Sequence, residues 1–191
     1  MGKLKHEIQQ KAPFSGLEEE AVLNLFRTSD FLERAFQHKT REWGVTSTQY
    51  NVLRILRGAE PQGLQCAAIG ARMIASEPDI TRILARLKTL KLVRQHRDHA
   101  DRRVVWTRVS EAGMGLLREM DPLIQRLPAI LLGHMSKAEL KEMIRLLELA
   151  RVPCAGKAEQ ESDQDPAHRH RRARRRIAGC TPRSAAACWF R

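Results

Sequence analysis

The sequence has few aromatic residues and no long apolar run. Phe, Trp and Tyr make up only 5% of a chain that is 42% hydrophobic, so we expect a mostly aliphatic core. Apolar runs such as "AILL" at 129–132 and "AAACWF" at 185–190 are far too short to cross a bilayer. The first residues, "MGKLKHEIQQKAPF", contain no apolar core of signal-peptide length. These absences predict a cytoplasmic protein.

Cysteine is also scarce, and its spacing fits no known cysteine site. The four cysteines, at positions 66, 154, 180 and 188, form no C-x-x-C pair and match neither a zinc site nor a disulfide framework. The G-x-S-x-G, P-loop and dinucleotide-binding motifs are missing as well. We therefore expect reduced thiols, no metal, no cofactor and no enzymatic activity.

Positive charge is in excess along the whole chain, which carries a net charge of +12. Residues 1–152 contain 25 Lys and Arg against 18 Asp and Glu, and residues 153–191 contain 9 against 4. Each part is thus a candidate for binding an anionic partner such as nucleic acid. Charge alone fits equally well with a basic protein that has no such partner.

Apolar periodicity predicts helices over most of the chain. A helix is predicted over residues 16–40, with its apolar residues on one face, followed by helices over 46–57, about 65–73, and 76–90. Ser76 is the predicted N-cap of the helix over 76–90, with Asp79 in the capping-box position and Pro78 in the first turn.

Two further helices are predicted near the C-terminal end of the periodic region. One begins at Ser110, and Pro122 and Pro128 predict kinks or breaks in it. The other begins at Ser136, with Glu139 in the capping-box position.

Two β-like runs, "LVRQH" and "RVVWTRV", surround a polar connection and predict a hairpin between the first four helices and the last two. A short helix, a tight turn, a capped helix and a hairpin together make a winged helix-turn-helix. The predicted fold is mainly α with this small β-hairpin. The winged helix-turn-helix, over 46–113, is flanked by dimerisation helices over 1–45 and 114–152. Residues 153–191 lack a sustained apolar period and are predicted to be a disordered basic tail, although their composition also suggests a shifted reading frame.

The second helix of a helix-turn-helix enters the major groove of DNA with its N-terminal residues near the base edges. Arg82 and Arg86, one turn apart on the polar side, could each reach a guanine or clamp a phosphate. The alternative is a basic helix that is merely solvated. The candidate DNA-contacting residues of this helix are Ser76, Glu77, Pro78, Asp79, Thr81, Arg82 and Arg86.

The hairpin is a candidate wing because residues 81–108 contain nine Lys and Arg but only two acids, Asp98 and Asp101. A narrow hairpin tip fits the minor groove, whose negative potential favours arginine. We expect the two acids to hold the neighbouring guanidinium groups in place, so that less rotamer freedom is lost on binding. The alternative is a plain salt-bridged turn, worth at most about 1 kcal/mol. The candidate contacts are Arg97, Asp101, Arg102 and Arg103.

The stretch "LQCAAIGARMIASEPDITRILARLKTLKLVRQHRDHADRRVVWTRVSEAG" resembles the DNA-binding core of the MarR (multiple antibiotic resistance regulator) family. The "DxxDRR" wing and the "SEAG" helix start carry the resemblance most specifically. It implies a homodimeric transcriptional regulator, usually a repressor, that binds double-stranded DNA and dimerises through its first and last helices. It also implies that a small aromatic ligand relieves DNA binding. The sequence departs from the family at Gly70, Ile74 and Lys91, where alanine, glycine and glycine are frequent.

A ligand pocket in such a protein would lie between the long helices and the helix-turn-helix. Candidate pocket residues, by their location alone, are Phe36, His38, Trp43, Tyr50 and Arg54, although each also fits ordinary packing or surface exposure.

Two rival functions on the same scaffold stay open at this point. One is a thiol-based redox switch at Cys66, which the sequence places at the start of a helix, where a thiol pKa can fall. A buried and inert Cys66 is the simpler expectation. The other rival is a winged helix that mediates protein assembly without contacting DNA.

Overall fold

The structure is a computed structural model that describes residues 3–75 and 79–163, with side chains as far as residue 152. The chain divides into two compact units, Met1–His134 and Met135–Arg191. The second unit contains α7 (Lys137–Asp163). The first unit contains α1 (Leu4–Glu7), α2 (Leu17–Arg41), α3 (Ser47–Arg57), α4 (Cys66–Gly70), α5 (Ile80–Thr89), β1 (Val93–Arg97), β2 (Val105–Val109) and α6 (Glu111–Leu132). The predicted fold class, mainly α with a small β-hairpin, is confirmed, while α1 is an addition that the periodicity did not predict.

Side-chain caps begin three of these helices at positions that the sequence predicts, namely Thr46 or Ser47, Ser110 and Ser136. Thr46 accepts a hydrogen bond from the backbone N–H of Gln49 and returns one to the Gln49 side chain, so α3 starts with a capping box. Ser110 Oγ accepts a backbone N–H from the first turn of α6 at 3.0 Å. Ser136 and Glu139 form the predicted capping box before α7. Local hydrogen bonding therefore fixes where these helices begin.

An aliphatic core joins α3, α4, α5, the hairpin and α6. Each fully buried leucine or isoleucine in it stabilises the fold by about 1.5–3 kcal/mol relative to an exposed side chain. Phe36 and Trp43 are only partly buried against this core. The core is therefore mostly aliphatic, as the low aromatic content predicts. Its largest fully buried hydrophobic side chains are Leu53, Leu56, Ile69, Leu87, Leu117 and Met120.

The hairpin is rooted in this core at its base. β1 and β2 pair antiparallel, with Val93 opposite Val109, and both valines are buried. Thr107 of β2 also exchanges backbone hydrogen bonds with Leu64, at 2.9 and 2.8 Å, which adds a short bridge outside the hairpin. The base is thus fixed by burial and by pairing, while the tip extends away from the core.

Helix α6 runs unbroken through Pro122 and Pro128, so the predicted break is wrong. Both prolines lie on the exposed side of the helix, where water can satisfy the carbonyl groups that a proline leaves unpaired. The opposite side buries Leu117, Ile124 and Leu127 in the first unit. This burial outweighs the cost of an interior proline, which is about 3 kcal/mol.

Helix α7 continues past Pro153 to Asp163, so the predicted boundary of the tail at residue 153 is wrong. Residues 155–163, "AGKAEQESD", are rich in Ala, Glu, Gln and Lys, whose helix propensity is high, and this explains the longer helix. Residues 164–191 of the predicted tail lie outside the described residues. Within the described part, no helix is both long enough and apolar enough to cross a bilayer.

A polar cluster ties α3 to α6. The hydroxyl of Tyr50 donates a hydrogen bond to Asp121 Oδ1 at 3.0 Å, and the Arg57 guanidinium pairs with the other oxygen of the same carboxylate. The Asp121 side chain is only 18% exposed. Burial and the neighbouring Asp121 raise the pKa of Tyr50 to about 12. Tyr50 is therefore neutral and able to donate at physiological pH.

Gly113 permits a close approach between the first turn of α6 and the hairpin. A Cβ atom at this position would lie 2.3 Å from the carbonyl oxygen of Leu92 and 2.8 Å from a methyl carbon of Val109. The same Leu92 carbonyl accepts a hydrogen bond from the backbone N–H of Ser110 at 3.0 Å, so it is not free to move. Any larger residue at position 113 must displace backbone.

We predict that Gly113→Ala lowers the free energy of unfolding by about 1–3 kcal/mol, because the added methyl group overlaps the Leu92 carbonyl. Gly115→Ala, two residues along the same helix, is the control. Its methyl group would meet nothing closer than 3.8 Å, and it should stabilise the helix by up to about 1 kcal/mol. Urea denaturation of the two variants checks both signs, and equal effects would contradict the packing at Gly113.

The Tyr50 cluster predicts a loss of stability at alkaline pH. The unfolded tyrosine ionises near pH 10 and the folded one at about 12, so the unfolded state loses its proton first as the pH rises. This contribution to stability is complete below pH 10 and disappears between pH 10 and 12. Because the chain has a single tyrosine, the ultraviolet absorbance of tyrosinate reports Tyr50 alone.

Asp121→Asn should shift that absorbance midpoint toward lower pH, since it removes the negative charge beside the hydroxyl. Asp30→Asn, which removes an exposed carboxylate paired with Arg34 on α2, is the matched control and should leave the midpoint unchanged. A native midpoint near 10 would contradict the hydrogen bond between Tyr50 and Asp121.

Candidate nucleic-acid interface

Helix α5 presents a basic face opposite its buried face. Ile80, Leu84 and Leu87 are buried in the core, which fixes the rotation of the helix about its axis. The i, i+4 spacing then places Arg82 and Arg86 on the exposed side, one turn apart. The predicted candidates that share this exposed side are Thr81, Arg82 and Arg86.

The N-cap of α5 is Asp79 rather than the predicted Ser76. The Asp79 carboxylate accepts the backbone N–H of Arg82 at 2.9 Å, and its backbone conformation, φ −132° and ψ 61°, is not helical. Asp caps a helix as well as Ser does, so the S-x-x-D pattern does not decide between the two positions. Ser76, Glu77 and Pro78 lie outside the described residues.

At the wing tip, the acids bind backbone amides rather than guanidinium groups. Asp98 Oδ1 accepts the N–H groups of Ala100 and Asp101, at 2.8 and 3.2 Å, and Asp98 Oδ2 accepts the indole N–H of Trp106 at 3.1 Å. Asp101 Oδ1 accepts the backbone N–H of Arg103 at 2.9 Å. The prediction that these acids hold the arginine side chains is wrong, because the closely spaced amides of the turn capture the carboxylates first.

These hydrogen bonds stabilise the ionised form of Asp98. The backbone N–H groups of Asp101 and Ala100, together with the Trp106 indole, lower the pKa of the Asp98 carboxyl. The tip therefore keeps its shape with a charged carboxylate. Among the described residues, no acidic side chain lies within 4.0 Å of the guanidinium groups of Arg97, Arg102 or Arg103, and all three arginines are exposed.

A groove of about 810 Å³ separates α5 from the wing. Lys88 lies seven residues after Thr81, so the same helical period that exposes Thr81 also turns Lys88 into this groove. The sequence analysis did not single out Lys88, although this spacing could have identified it. Gln65 and Gln95 enter from outside α5, and only the folded structure reveals them. The polar side chains that line the groove, apart from Cys66, are those of Gln65, Thr81, Lys88, Thr89, Gln95, Arg103 and Thr107.

Cys66 also lines this groove and is exposed, so the expectation of a buried Cys66 is wrong. Its Sγ lies 3.8 Å from Thr81 Oγ1 on α5. Cys66 is the first residue of the short helix α4, and Ile69 is the residue that this helix buries. Within the described residues, no group of three or more His, Cys, Asp and Glu is placed to hold a metal.

The base of the wing carries a contact that the sequence analysis missed. Glu60, between α3 and α4, accepts hydrogen bonds from Arg108 Nε at 3.1 Å and from a terminal Arg108 nitrogen at 2.6 Å. Its other oxygen accepts the backbone N–H of Val109 at 3.2 Å. These residues are 48 and 49 positions apart in the sequence, so no local pattern indicates the pairing.

The five predicted ligand-binding residues do not share a described cavity. Phe36 and Trp43 pack against the core, Tyr50 is buried in it, and His38 is exposed with Nδ1 4.0 Å from Glu42. Arg54 is exposed, and its guanidinium carbon lies 5.9 Å from the centre of the Tyr50 ring. The groove beside α5 contains none of the five. Neither does a second described cleft near α1, which is lined by Lys5, His6, Gln9 and Gln10.

Comparison with known proteins places this geometry in a family. The model of the MarR family matches residues 43–104, which contain α3, α4, α5, β1 and the wing tip. The chain is 36% identical to a MarR transcription factor of Planctomyces limnophilus, whose crystal structure it matches with a TM-score of 0.56. That alignment covers 72% of this chain and 99% of the relative.

Two further relatives are more distant. An uncharacterized HTH-type transcriptional regulator of Bacillus subtilis, YkoM, is 27% identical over 146 residues, which are 73% of this chain and 92% of the relative. BpsR of Bordetella bronchiseptica, solved in work on the regulation of its DNA binding by 6-hydroxynicotinic acid, is 24% identical with a TM-score of 0.61. It aligns with 69% of this chain and 98% of its own, and it supports the fold alone.

The family match falls on the elements that carry the basic face and the wing, and the relative from Planctomyces limnophilus aligns over almost its whole length. The chain therefore belongs to the MarR family of transcriptional regulators, which have a DNA-binding fold and are not enzymes.

Proposed function

We propose that this chain is a homodimeric repressor that binds double-stranded DNA, with α5 of each subunit in the major groove and the wing in the neighbouring minor groove. The observation that carries the proposal is the set of exposed arginines on these two elements, which have no acidic partner among the described residues. Unpaired guanidinium groups can neutralise phosphates, or donate hydrogen bonds to the edge of a guanine base, without first breaking an ion pair.

The two elements divide the contacts between them. Arg82 and Arg86 read a base edge or grip a phosphate from α5, and Thr81 contacts a phosphate or a thymine methyl group. Arg102 and Arg103 enter the minor groove, with Arg97 beside them and Asp101 fixing the turn. Asp79 acts indirectly by capping α5. Ser76 and Pro78 stay candidates from the sequence alone.

The sugar-phosphate backbone that separates the major and minor grooves of the DNA would lie over the protein groove between α5 and the wing. Lys88 and Arg103 stand on its two walls, and Gln65, Thr89 and Gln95 add neutral hydrogen-bonding groups. We assign Gln65, Lys88, Thr89 and Gln95 to phosphate contacts, which strengthen binding without reading sequence, and keep Arg103 for the minor groove.

Exposed apolar residues support dimerisation. Val22, Leu25 and Phe26, on the apolar face predicted for the first long helix, remain exposed on α2. Large exposed apolar surfaces of this kind mark interaction sites, and a second copy of the chain would cover them. We assign residues 1–45 and 114–152 to the dimer, which would hold two α5 helices about one turn of DNA apart. The most exposed apolar side chains of α2 are those of Leu17 (81%), Phe26 (68%) and Phe31 (53%).

A small aromatic acid is the proposed effector that releases the DNA. Arg54 is exposed beside the Tyr50 ring and can pair with a carboxylate, while Phe36 and Trp43 supply partly buried aromatic surface. His38 completes the candidate set on α2. The regulation of DNA binding in BpsR by 6-hydroxynicotinic acid supports an effector of this class.

The DNA contacts predict different effects for α5 and for the wing. Arg82→Ala should weaken binding to a duplex selected from random sequence by about 1–3 kcal/mol and relax the preference at one base pair, if Arg82 reads a base. Arg103→Ala should weaken binding more uniformly and reduce the slope of log affinity against log salt by about 1. Titrations at several salt concentrations measure both effects.

Arg34→Ala is the matched control for the loss of one positive charge, because Arg34 is exposed on α2 and pairs with Asp30. It should leave both affinity and salt slope nearly unchanged. A wild-type chain that is folded but binds no duplex at low salt would contradict the proposed function.

The effector proposal predicts that Arg54→Ala abolishes the release of DNA by aromatic carboxylates such as 6-hydroxynicotinic acid, without lowering DNA affinity in their absence. Calorimetric titration of the free protein measures ligand binding directly, and a competition assay with bound duplex measures release. Arg34→Ala again serves as the control. Equal release from wild type and Arg54→Ala would exclude Arg54 from the effector site.

A further inference from the structure

One carboxylate joins the base of the wing to the segment between α3 and α4. Glu60 binds the Arg108 side chain through two nitrogens and the Val109 backbone N–H through its second oxygen. The side chain of Glu60 is 26% exposed and that of Arg108 is 42% exposed. Both guanidinium donors must point at the same oxygen, Glu60 Oε2, while Oε1 accepts the Val109 N–H, so these contacts constrain direction as well as distance.

The backbone beside this pair is in close contact with the same strand. Leu64 exchanges backbone hydrogen bonds with Thr107, and Gly63, at φ +77°, approaches so closely that a Cβ there would lie 2.5 Å from the Thr107 carbonyl oxygen. The segment 60–64 therefore contacts β2 at three consecutive residues, Thr107, Arg108 and Val109. Of these contacts, only the one from Glu60 carries charge.

That charge has a specific counterpart across the hairpin. In the register of the two strands Arg108 stands directly opposite Arg94, so two guanidinium groups share one face at the base of the wing. Like charges in directly opposite positions destabilise a strand pair. The Glu60 carboxylate neutralises Arg108 and removes most of this repulsion.

The wing tip lies far from the contact between Glu60 and Arg108, so a small change in the direction of the wing at its base moves the tip considerably. Arg103 lies five residues before Arg108, across the first part of β2 and the turn, which is at most about 16 Å. A tilt of about 10° at the base would thus displace the tip by about 3 Å, whereas binding groups must be held to within about 0.5 Å of their working position. A small change at Glu60 is amplified at the arginines.

We propose that Glu60 is a positioning residue for DNA binding: through Arg108 and Val109 it sets the direction in which the wing presents Arg102 and Arg103, without touching DNA itself. This inference rests on the proposed function, in which those two arginines enter the minor groove. The role differs from a general contribution to folding, because a partly exposed ion pair adds little to global stability.

The test is a double-mutant cycle between Glu60 and the wing tip. Glu60→Gln keeps the volume and one acceptor oxygen but removes the charge, and it should weaken binding to the selected duplex about tenfold. In the background Arg102→Ala/Arg103→Ala, the same change should weaken binding less than about twofold, because no arginine remains to be misplaced. The midpoint of urea denaturation should stay close to that of the wild type.

Glu111→Gln is the matched control for the loss of one carboxylate. Glu111 is exposed in the first turn of α6, outside the residues assigned to the dimer, and its loss should change DNA affinity less than about twofold. If Glu60→Gln lowers the urea midpoint, Glu60→Gln/Arg94→Gln removes the facing cation as well and enters the same cycle, with Arg94→Gln as its reference.

Different results would contradict the positioning role of Glu60 and the proposed DNA binding. Independent effects of Glu60 and the wing arginines, or full affinity in Glu60→Gln, would overturn the positioning role while leaving wing binding intact. If Arg102→Ala/Arg103→Ala binds DNA as well as the wild type does, the minor-groove role of the wing fails. A chain that selects no duplex would overturn the proposed function, and the role of Glu60 with it.

Discussion

The wing must hold several arginines close together without neutralising them. If ion pairs shaped this turn, the guanidinium groups would already be paired with neighbouring acids, and DNA would have to break those pairs in order to bind. In this chain the carboxylates of Asp98 and Asp101 bind backbone N–H groups and the Trp106 indole instead. The negative charge therefore shapes the turn, while the positive charge stays available at the surface. Asp79 does the same for α5, where it caps the helix rather than pairing with Arg82 or Arg86.

Glu60 is the exception that this arrangement allows. It pairs with an arginine, but with Arg108 at the root of the hairpin, where a free cation would face Arg94. An ion pair at the base and unpaired arginines at the tip would give the wing a fixed direction and an exposed positive end. The Asp121 cluster, which ties α3 to α6, follows the same rule, since its buried carboxylate is saturated by Tyr50 and Arg57. In both places a carboxylate joins elements that are far apart in the sequence.

The features that sequence patterns predicted correctly are the local ones. The caps at Thr46, Ser110 and Ser136, the hairpin and the exposed arginines of α5 all follow from residues a few positions apart. The errors have tertiary causes: burial carries α6 through two prolines, and the hairpin register brings Trp106 to Asp98. Glu60 and Arg108 are 48 residues apart, so only the fold could reveal their contact. The pocket candidates were chosen by location, and the described residues provide no cavity that groups them.

The junction between α5 and β1 has a consequence for how the two DNA-facing elements move. Lys91 adopts a left-handed backbone conformation, with φ 59°, at the point where many family members have glycine. A residue with a side chain there stores roughly 1–2 kcal/mol of strain. The Lys91 carbonyl also accepts a hydrogen bond from the Ser110 hydroxyl at 2.7 Å, which ties this junction to the start of α6. We therefore expect the helix and the hairpin to move together if the proposed effector releases DNA.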